Sequence, residues 1–549
     1  MDDPGTPLPP TPPPPSAPRP PSDRAVTPTA TSPGRPGPSA PSVPPGPTTT
    51  LLRAPGPTVS LPRPPGPVTT ALRDFWAEDR RTVPAPVLVG ITVSGLAGGI
   101  LVVGHRPGLG IGLVGLVVWG AAVPALLRRR AVGDLATAAL CVALVAVVAV
   151  RDAGWLVGLC VAAAAVVGAT AATSARSAPA VLLGVLSWAA GGLRAVRWLS
   201  RSAGELVGPR RAQALVVLRS VAVTAVLLLV FGLLFAAADL VFASYLRVDL
   251  GLLPGRVVVG VLVAVLAATL AHLALAPPAW STLGLPPARP VSRGEWLLPV
   301  LALDAMVLAF VTVQVVALLG GHQHVLETAG LTYAQYARQG FAQLVAATAL
   351  TLVVVAVAAR RAPRETARDR LVTRAALGVL CVATLGVVVS ALHRMSLYVD
   401  AFGLTRLRVS AVLAEIVLGL VLVLVLVAGV RWRGGWLPRA VVHVAAAALL
   451  GLAVANPDAM IVRYNVAADP GADAGSRTAA ALDVTYLQGL SADAVPTMAE
   501  LDEPLRSCLL AGVEVAPASG GLAGWNLSRA QAHSTWSDGS HRSLVTGRC

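Results

Sequence analysis

The stretch GLTRLRVSAVLAEIVLGLVLVLVLVAGV, residues 403–430, decides the fold class. From Val409 to Val430 it carries one ionisable residue, Glu415, in an otherwise apolar run. A run of roughly 20 such residues crosses a hydrocarbon core of about 30 Å as a helix, and satisfies every backbone polar group within the segment. Runs of this kind recur near 84–104, 107–127, 133–150, 153–173, 213–238, 255–276, 296–320, 340–359, 372–392, 408–430 and 439–456. They are continuous, not alternating, which excludes a membrane barrel. The sequence therefore predicts an all-α polytopic transmembrane helix bundle over residues 83–456, of about eleven spans, or twelve if 178–193 also crosses.

Composition supports this. Of 549 residues 55% are hydrophobic and 13% charged, and the mean hydropathy is +0.70, a balance that ordinary soluble domains do not reach. Lysine is absent, so arginine carries the formal charge of +15. Arginine clusters beside apolar runs point to cytoplasmic helix ends and not to nucleic acid. The partner implied is the lipid bilayer. Cys141, Cys160 and Cys381 lie inside apolar runs and read as packing residues.

Charge also orients the chain. With the N-terminus cytoplasmic, Arg128, Arg129 and Arg130 follow the second span on the same side. The segments holding Arg360, Arg361, Arg364, Arg368 and Arg370, and Arg431, Arg433 and Arg439, belong there too. The arginines between 194 and 211 join them only if 178–193 does not cross. Residues 178–211 are therefore expected to be a re-entrant or amphipathic segment on the cytoplasmic surface, which leaves the C-terminus extracytoplasmic.

Residues 1–82 are expected to be a disordered, proline-rich tail, since phrases such as TPPPPSAPRPPSD cannot bury enough apolar surface to offset ordering. Its PxxP phrases offer a site for a protein partner with an aromatic groove, although a passive tail is the simpler reading. Residues 457–549 read as a small extracytoplasmic region with short helical patterns, among them NLSRAQAHS with Asn526 as its N-cap. Cys508 and Cys549 are disulfide candidates there.

An ionisable group within a span costs about 2.5–3.5 kcal/mol on insertion scales and asks for a partner or a purpose. Asp304, Gln314, Arg219 and Glu415 form the candidate intramembrane polar site, with Arg219 and Asp304 at similar depth and able to pair. The spans lack the acidic ladder of a dedicated proton relay, which favours interhelical contacts. The HQH triplet at His322 and His324 lacks a third ligand at metal spacing, so no metal is expected. No nucleotide, protease or reductase fingerprint appears, and no catalytic residue or cofactor is assigned.

A candidate outer-face motif comprises Tyr333, Tyr336, Arg338, Arg394, Tyr398, Arg406 and Arg408. It is built on two similar phrases, GLTYAQYARQGF (330–341) and GLTRLRVSA (403–411). In the first, Thr332 and Gln335 form a T-x-x-Q capping box, so a helix is expected to begin before the apolar run and to carry Gly340 on a packing face.

The phrases LDAMVLAFVTVQ, GLTYAQYARQGF, HRMSLYVDAFGLTRLRVSA, NPDAMIVRYN, LDVTYLQGLSADAVP and GWNLSRAQA resemble a family of uncharacterised bacterial multi-pass membrane proteins. It is catalogued as domain of unknown function 4153 or 4173. The resemblance covers roughly 210–535. It implies a bacterial plasma membrane and marks Asp304, Gln314, Tyr333, Tyr336, Ala337, Arg338, Gly340, Arg394, Tyr398, Gly403, Thr405, Arg408, Asn456, Arg463, Asn465, Asp483 and Tyr486 as pattern positions, without assigning an activity. Three functions follow from the residues. The favoured one is a non-catalytic scaffold or envelope-associated protein. The others are a permease using Asp304, Gln314 and Arg219, and an enzyme acting on a lipid-linked substrate.

Overall fold

A computed structural model describes residues 66–77, 82–129, 131–207, 250–282, 291–319, 340–432, 434–467, 482–511, 513 and 521–537, with scattered helical positions between 213 and 238. All the described helices belong to the unit that begins at Pro65. There are eighteen α-helices and no strand among the described residues. The first twelve are α1 (Pro67–Trp76), α2 (Ala85–Leu101), α3 (Leu109–Arg128), α4 (Val132–Val150), α5 (Gly154–Thr173), α6 (Ala178–Val207), α7 (Leu253–Leu275), α8 (Arg293–Leu319), α9 (Phe341–Arg361), α10 (Ala367–Phe402), α11 (Arg406–Arg431) and α12 (Leu437–Ala455). Six short ones follow: α13 (Pro457–Ala467), α14 (Val484–Gln488), α15 (Val495–Ala499), α16 (Leu505–Ala511), α17 (Gly521–Gly524) and α18 (Leu527–Ser537).

Local signals place the helix ends. Proline occupies the first turn of α2, α7 and α12, where its missing N–H costs nothing. Thr366 and Asp369 form a capping box at the start of α10. Ser174 and Asn456 end α5 and α12 in the left-handed conformation. Ten described helices are long and apolar enough to cross a membrane, and α2 is a shorter apolar helix. Val89, Val93, Leu96 and Ile100 line one exposed face of α2, as a lipid-facing stripe does. On its other face the GxxxG pair Gly95 and Gly99 brings α7 to backbone contact. A Cβ on Gly99 would lie 2.7 Å from the Arg256 carbonyl oxygen, and one on Gly260 would lie 2.9 Å from that of Gly95.

The long helices run between two ends. At one, the Arg129 guanidinium donates to Ser174 Oγ at 2.8 Å and to the Ala172 and Leu273 carbonyls at 3.2 Å. It thus gathers the last residues of α3, α5 and α7, and Arg439 at the start of α12 pairs with Asp134 at the start of α4, 2.7 Å away. We call this the arginine end. At the opposite cap end, α13 to α18 cover the bundle, and their own apolar residues, among them Leu487, Val495, Met498 and Leu509, are fully buried. One apolar core joins α2 to α7, α12 and the cap, while a second lies among α8 to α11.

Ala178–Ser202 of α6 has the length and composition of a span, yet both halves of the helix meet the arginine end. A Cβ on Gly184 would lie 2.9 Å from Thr173 Oγ, at the last residue of α5. Trp280, just past α7, donates to Ser187 at 2.8 Å, and the Trp198 ring lies 5.1 Å from that of His272 in the last turn of α7. The Val83 N–H, ahead of α2, donates to Ser202 Oγ at 3.1 Å. The 30-residue helix therefore lies across that end of the bundle. The chain leaves α6 at the arginine end and enters α7 at the cap end, where Leu252 meets the α2–α3 turn at Gly104.

Two expectations need correction. The tail was expected to be disordered through residue 82, but Pro67–Trp76 is helical and docked. Ala71 and Phe75, spaced i, i+4, are both 3% exposed, and Phe75 stacks on Trp280 at 5.2 Å under the Arg194 guanidinium. An amphipathic face, hidden in the sequence by flanking prolines, explains this. The helix expected to start at Thr332 and carry Gly340 on its packing face does not run through Gly340, which has φ +90 and precedes α9. That conformation is accessible to glycine and breaks an α-helix. Thr332, Gln335, the HQH triplet and most of the 213–238 span lie outside the described residues.

Candidate functional site at the cap end

The densest polar cluster among the described residues joins the cap to the bundle. Asp458, in the first turn of α13, is fully buried. Its carboxylate accepts from Arg406 Nε at 3.0 Å and Nη2 at 2.5 Å, and from the Ser491 N–H at 3.0 Å and hydroxyl at 2.7 Å. Burial alone would raise this carboxyl, but the Arg406 and Ser491 bonds outweigh it and hold it below the usual carboxylate range.

Asp493 is the second hub, 2% exposed. It accepts from the backbone N–H of Asp152 at 2.9 Å and Ala153 at 2.6 Å, at the N-terminus of α5 where a carboxylate suits the helix dipole. Ser491 at 2.9 Å and Ser528 also donate to it, and Arg151 faces it at 3.7 Å. Asn526 caps α18 by accepting from the Arg529 N–H at 3.0 Å, while its amide donates to the Val148 and Arg151 carbonyls, each at 2.9 Å. Arg529 closes the set on Asp152 at 2.7 Å.

The turn between α10 and α11 enters the same cluster. Gly403 has φ +74, and the Asn465 amide pairs with both backbone groups of Leu404, at 2.5 and 2.9 Å. The Arg406 N–H donates to the Tyr486 hydroxyl at 2.8 Å. Thr405 caps α11, its hydroxyl oxygen accepting from the Arg408 N–H at 3.4 Å. Arg408 donates to the Phe402 carbonyl at 2.8 Å and sits 4.3 Å above the Tyr398 ring. Arg394 donates to Gln314 at 3.0 Å. These three arginines of the candidate outer-face motif thus spend donors on the protein, where a headgroup-binding enzyme would aim them outward. Tyr333, Tyr336 and Arg338 lie outside the described residues.

The four intramembrane candidates are not brought together as one site. Gln314 accepts from Arg394 and from Ser390 at 3.3 Å. Glu415, fully buried, accepts from Thr348 of α9 at 3.3 Å through one oxygen. Asp304, 4% exposed, has no hydrogen-bond partner on either carboxylate oxygen. Arg219 is exposed, and no pair between it and Asp304 forms. Counting along the sequence gave the two similar depths but no information about which helix faces are adjacent. Cys508 is disulfide-bonded; Cys549 lies outside the described residues.

Sequence reasoning missed Asp458, Asp493, Arg151, Asp152 and Arg529, because each looks like an ordinary loop or helix-start charge. A signal existed in NPDAM, where Asn456 closes one helix and Asp458 sits in the first turn of the next without any local basic partner.

No curated protein and no solved structure matches the chain. A family model described as a domain of unknown function (DUF4153) matches residues 139–501. The match starts earlier than the resemblance in the sequence suggested and stops before GWNLSRAQA. It includes the α4–α5 turn, both phrases and both hub carboxylates. The chain belongs to the domain of unknown function 4153 family, and its apolar helices make it a membrane protein.

Proposed function

We propose that this protein is a non-catalytic scaffold of a bacterial plasma membrane, with the arginine end cytoplasmic and the cap extracytoplasmic. The observation that carries this reading is the Asp458–Asp493 cluster, whose carboxylates are engaged by protein donors and fix the cap to the bundle. The arginines of the α3–α4, α9–α10 and α11–α12 connections gather at the other end, as the positive-inside rule favours. Leu522 and Trp525 stand exposed on the cap, at 81% and 42%, a surface for a partner, and the proline-rich residues 1–65 supply a second attachment point.

The test is photocrosslinking in cells from position 522 of the full-length chain. A discrete partner should be captured and should be lost in Asp458→Asn. Capture of nothing from position 522, together with an unchanged set of associated proteins when residues 1–65 are removed, would discard the scaffold reading.

One observation favours a second reading. Asp304 is a buried carboxyl without a hydrogen-bond partner, and an intramembrane ionisable group of that kind marks a transport site by default. Proteoliposomes that move protons or a cation, and cease to do so with Asp304→Asn, would replace the scaffold with a permease.

A further inference from the structure

A cavity of about 400 Å³ opens between α9, α10 and α11 near the arginine end. It exists because α9 and α11 each pack along α10 but barely meet each other. Val355, Leu377 and Val425 line it from the three helices, so its body is apolar. Its mouth is of a different chemistry. Trp432 closes α11 in the left-handed conformation, φ 51, which a bulky side chain rarely adopts. The Arg364 guanidinium lies 4.3 Å and that of Arg374 5.8 Å from the Trp432 ring centroid. Both arginines line the cavity and are exposed.

Two polar groups in the wall lack partners. The Thr373 hydroxyl, in a side chain that is 0% exposed, makes no hydrogen bond, and neither does the buried Trp432 indole N–H. Buried donors without acceptors cost about 1–3 kcal/mol each. An apolar volume left empty also forfeits the dispersion contacts of its lining.

An occupant that relieves both has an apolar chain and an anionic head that accepts hydrogen bonds. The size is that of a ligand cavity, typically about 300–1,000 Å³. Basic pockets between spanning helices at a cytoplasmic surface suit phosphate headgroups, and guanidinium groups bind phosphate bidentately. We propose that this cavity holds one anionic phospholipid, its acyl chain between α9, α10 and α11 and its phosphate on Arg364 and Arg374.

Gly378 offers a way to fill the cavity. It lines the wall, and a Cβ there meets no atom within 4 Å. The full-length protein, delipidated in a neutral detergent, is titrated with phosphatidylglycerol, with phosphatidylcholine of the same chains, or with inorganic phosphate, and retention is read by native mass spectrometry. One phosphatidylglycerol per chain should be retained in preference to phosphatidylcholine. The surface pair Arg364→Gln and Arg374→Gln should lower that retention roughly tenfold, to the phosphatidylcholine level, and Gly378→Phe should lower retention of both lipids. Equal retention of the two lipids would overturn the proposal in favour of a neutral chain. Displacement by inorganic phosphate would overturn it in favour of a free anion, and undiminished retention in a folded Gly378→Phe would place the lipid elsewhere.

Discussion

Arg406 and Asp458 meet as a two-pronged pair, Nε to one carboxylate oxygen at 3.0 Å and Nη2 to the other at 2.5 Å, so the first residue of α11 holds the first turn of α13. Asp458 is fully buried, and the Arg406 side chain is 31% exposed. Asp458→Ala should therefore cost roughly 2–4 kcal/mol, less than a fully enclosed pair because of solvent screening. The loss should appear as a lower Tm and as proteolysis confined to residues 457–537. Unchanged cleavage would show that the cap is held by its apolar core alone.

The same pair sets a pH response. The folded Asp458 carboxyl lies below the unfolded value near 3.9. Its contribution is therefore fully present above about pH 5 and is lost as pH falls through the folded value. Hydrogen exchange of the cap amides should stay slow from neutral pH down to about 5 and rise below 4, and Asp458→Asn should abolish that acid step.

Gly403→Ala combines two faults. It places a Cβ on a backbone at φ +74, and that Cβ would lie 2.8 Å from Asn465 Oδ1. The expected loss is about 1–3 kcal/mol, with Asn465 driven off Leu404. A Tm within one degree of the parent would count against a rigid turn.

Asp304→Leu should stabilise the bundle by about 1–3 kcal/mol, since it removes a buried polar group that has no hydrogen-bond partner. A higher Tm in detergent is the expected result. A lower one would mean that the carboxyl is engaged in the working protein.

The position of α6 can be read by labelling. Single cysteines at Arg176 and Ser200, introduced with the buried free cysteines replaced, should react with a membrane-impermeant maleimide from the same side. Reaction from opposite sides would make α6 a span.

The bundle was readable because each span announces itself in consecutive residues: Val409 to Val430 needs no knowledge of any other segment. Asn526 as the cap of α18 was readable for the same reason, since its partner Arg529 is three residues on. The hub was not readable, because Asp493 meets Asp152 across a separation of 341 residues and nothing near either one marks the meeting. Asp304 and Arg219 show the converse case. Depth along an axis can be counted from the sequence, but the rotation that decides which side chains face each other depends on packing, and both Asp304 oxygens are left without a hydrogen-bond partner. α6 falls between these cases, since its composition fits a span and only the contacts of Ser187, Trp198 and Ser202 show how it lies.

Asp493 also imposes an order on assembly. The α4–α5 turn leaves the ribosome hundreds of residues before the carboxylate that accepts its N–H groups, so during synthesis those groups must be served by water or by the insertion machinery. The cap end can close only after Asp493, Ser528 and Arg529 have been made. A product released before Asp493 is made would carry its spanning helices with that surface open and unlatched.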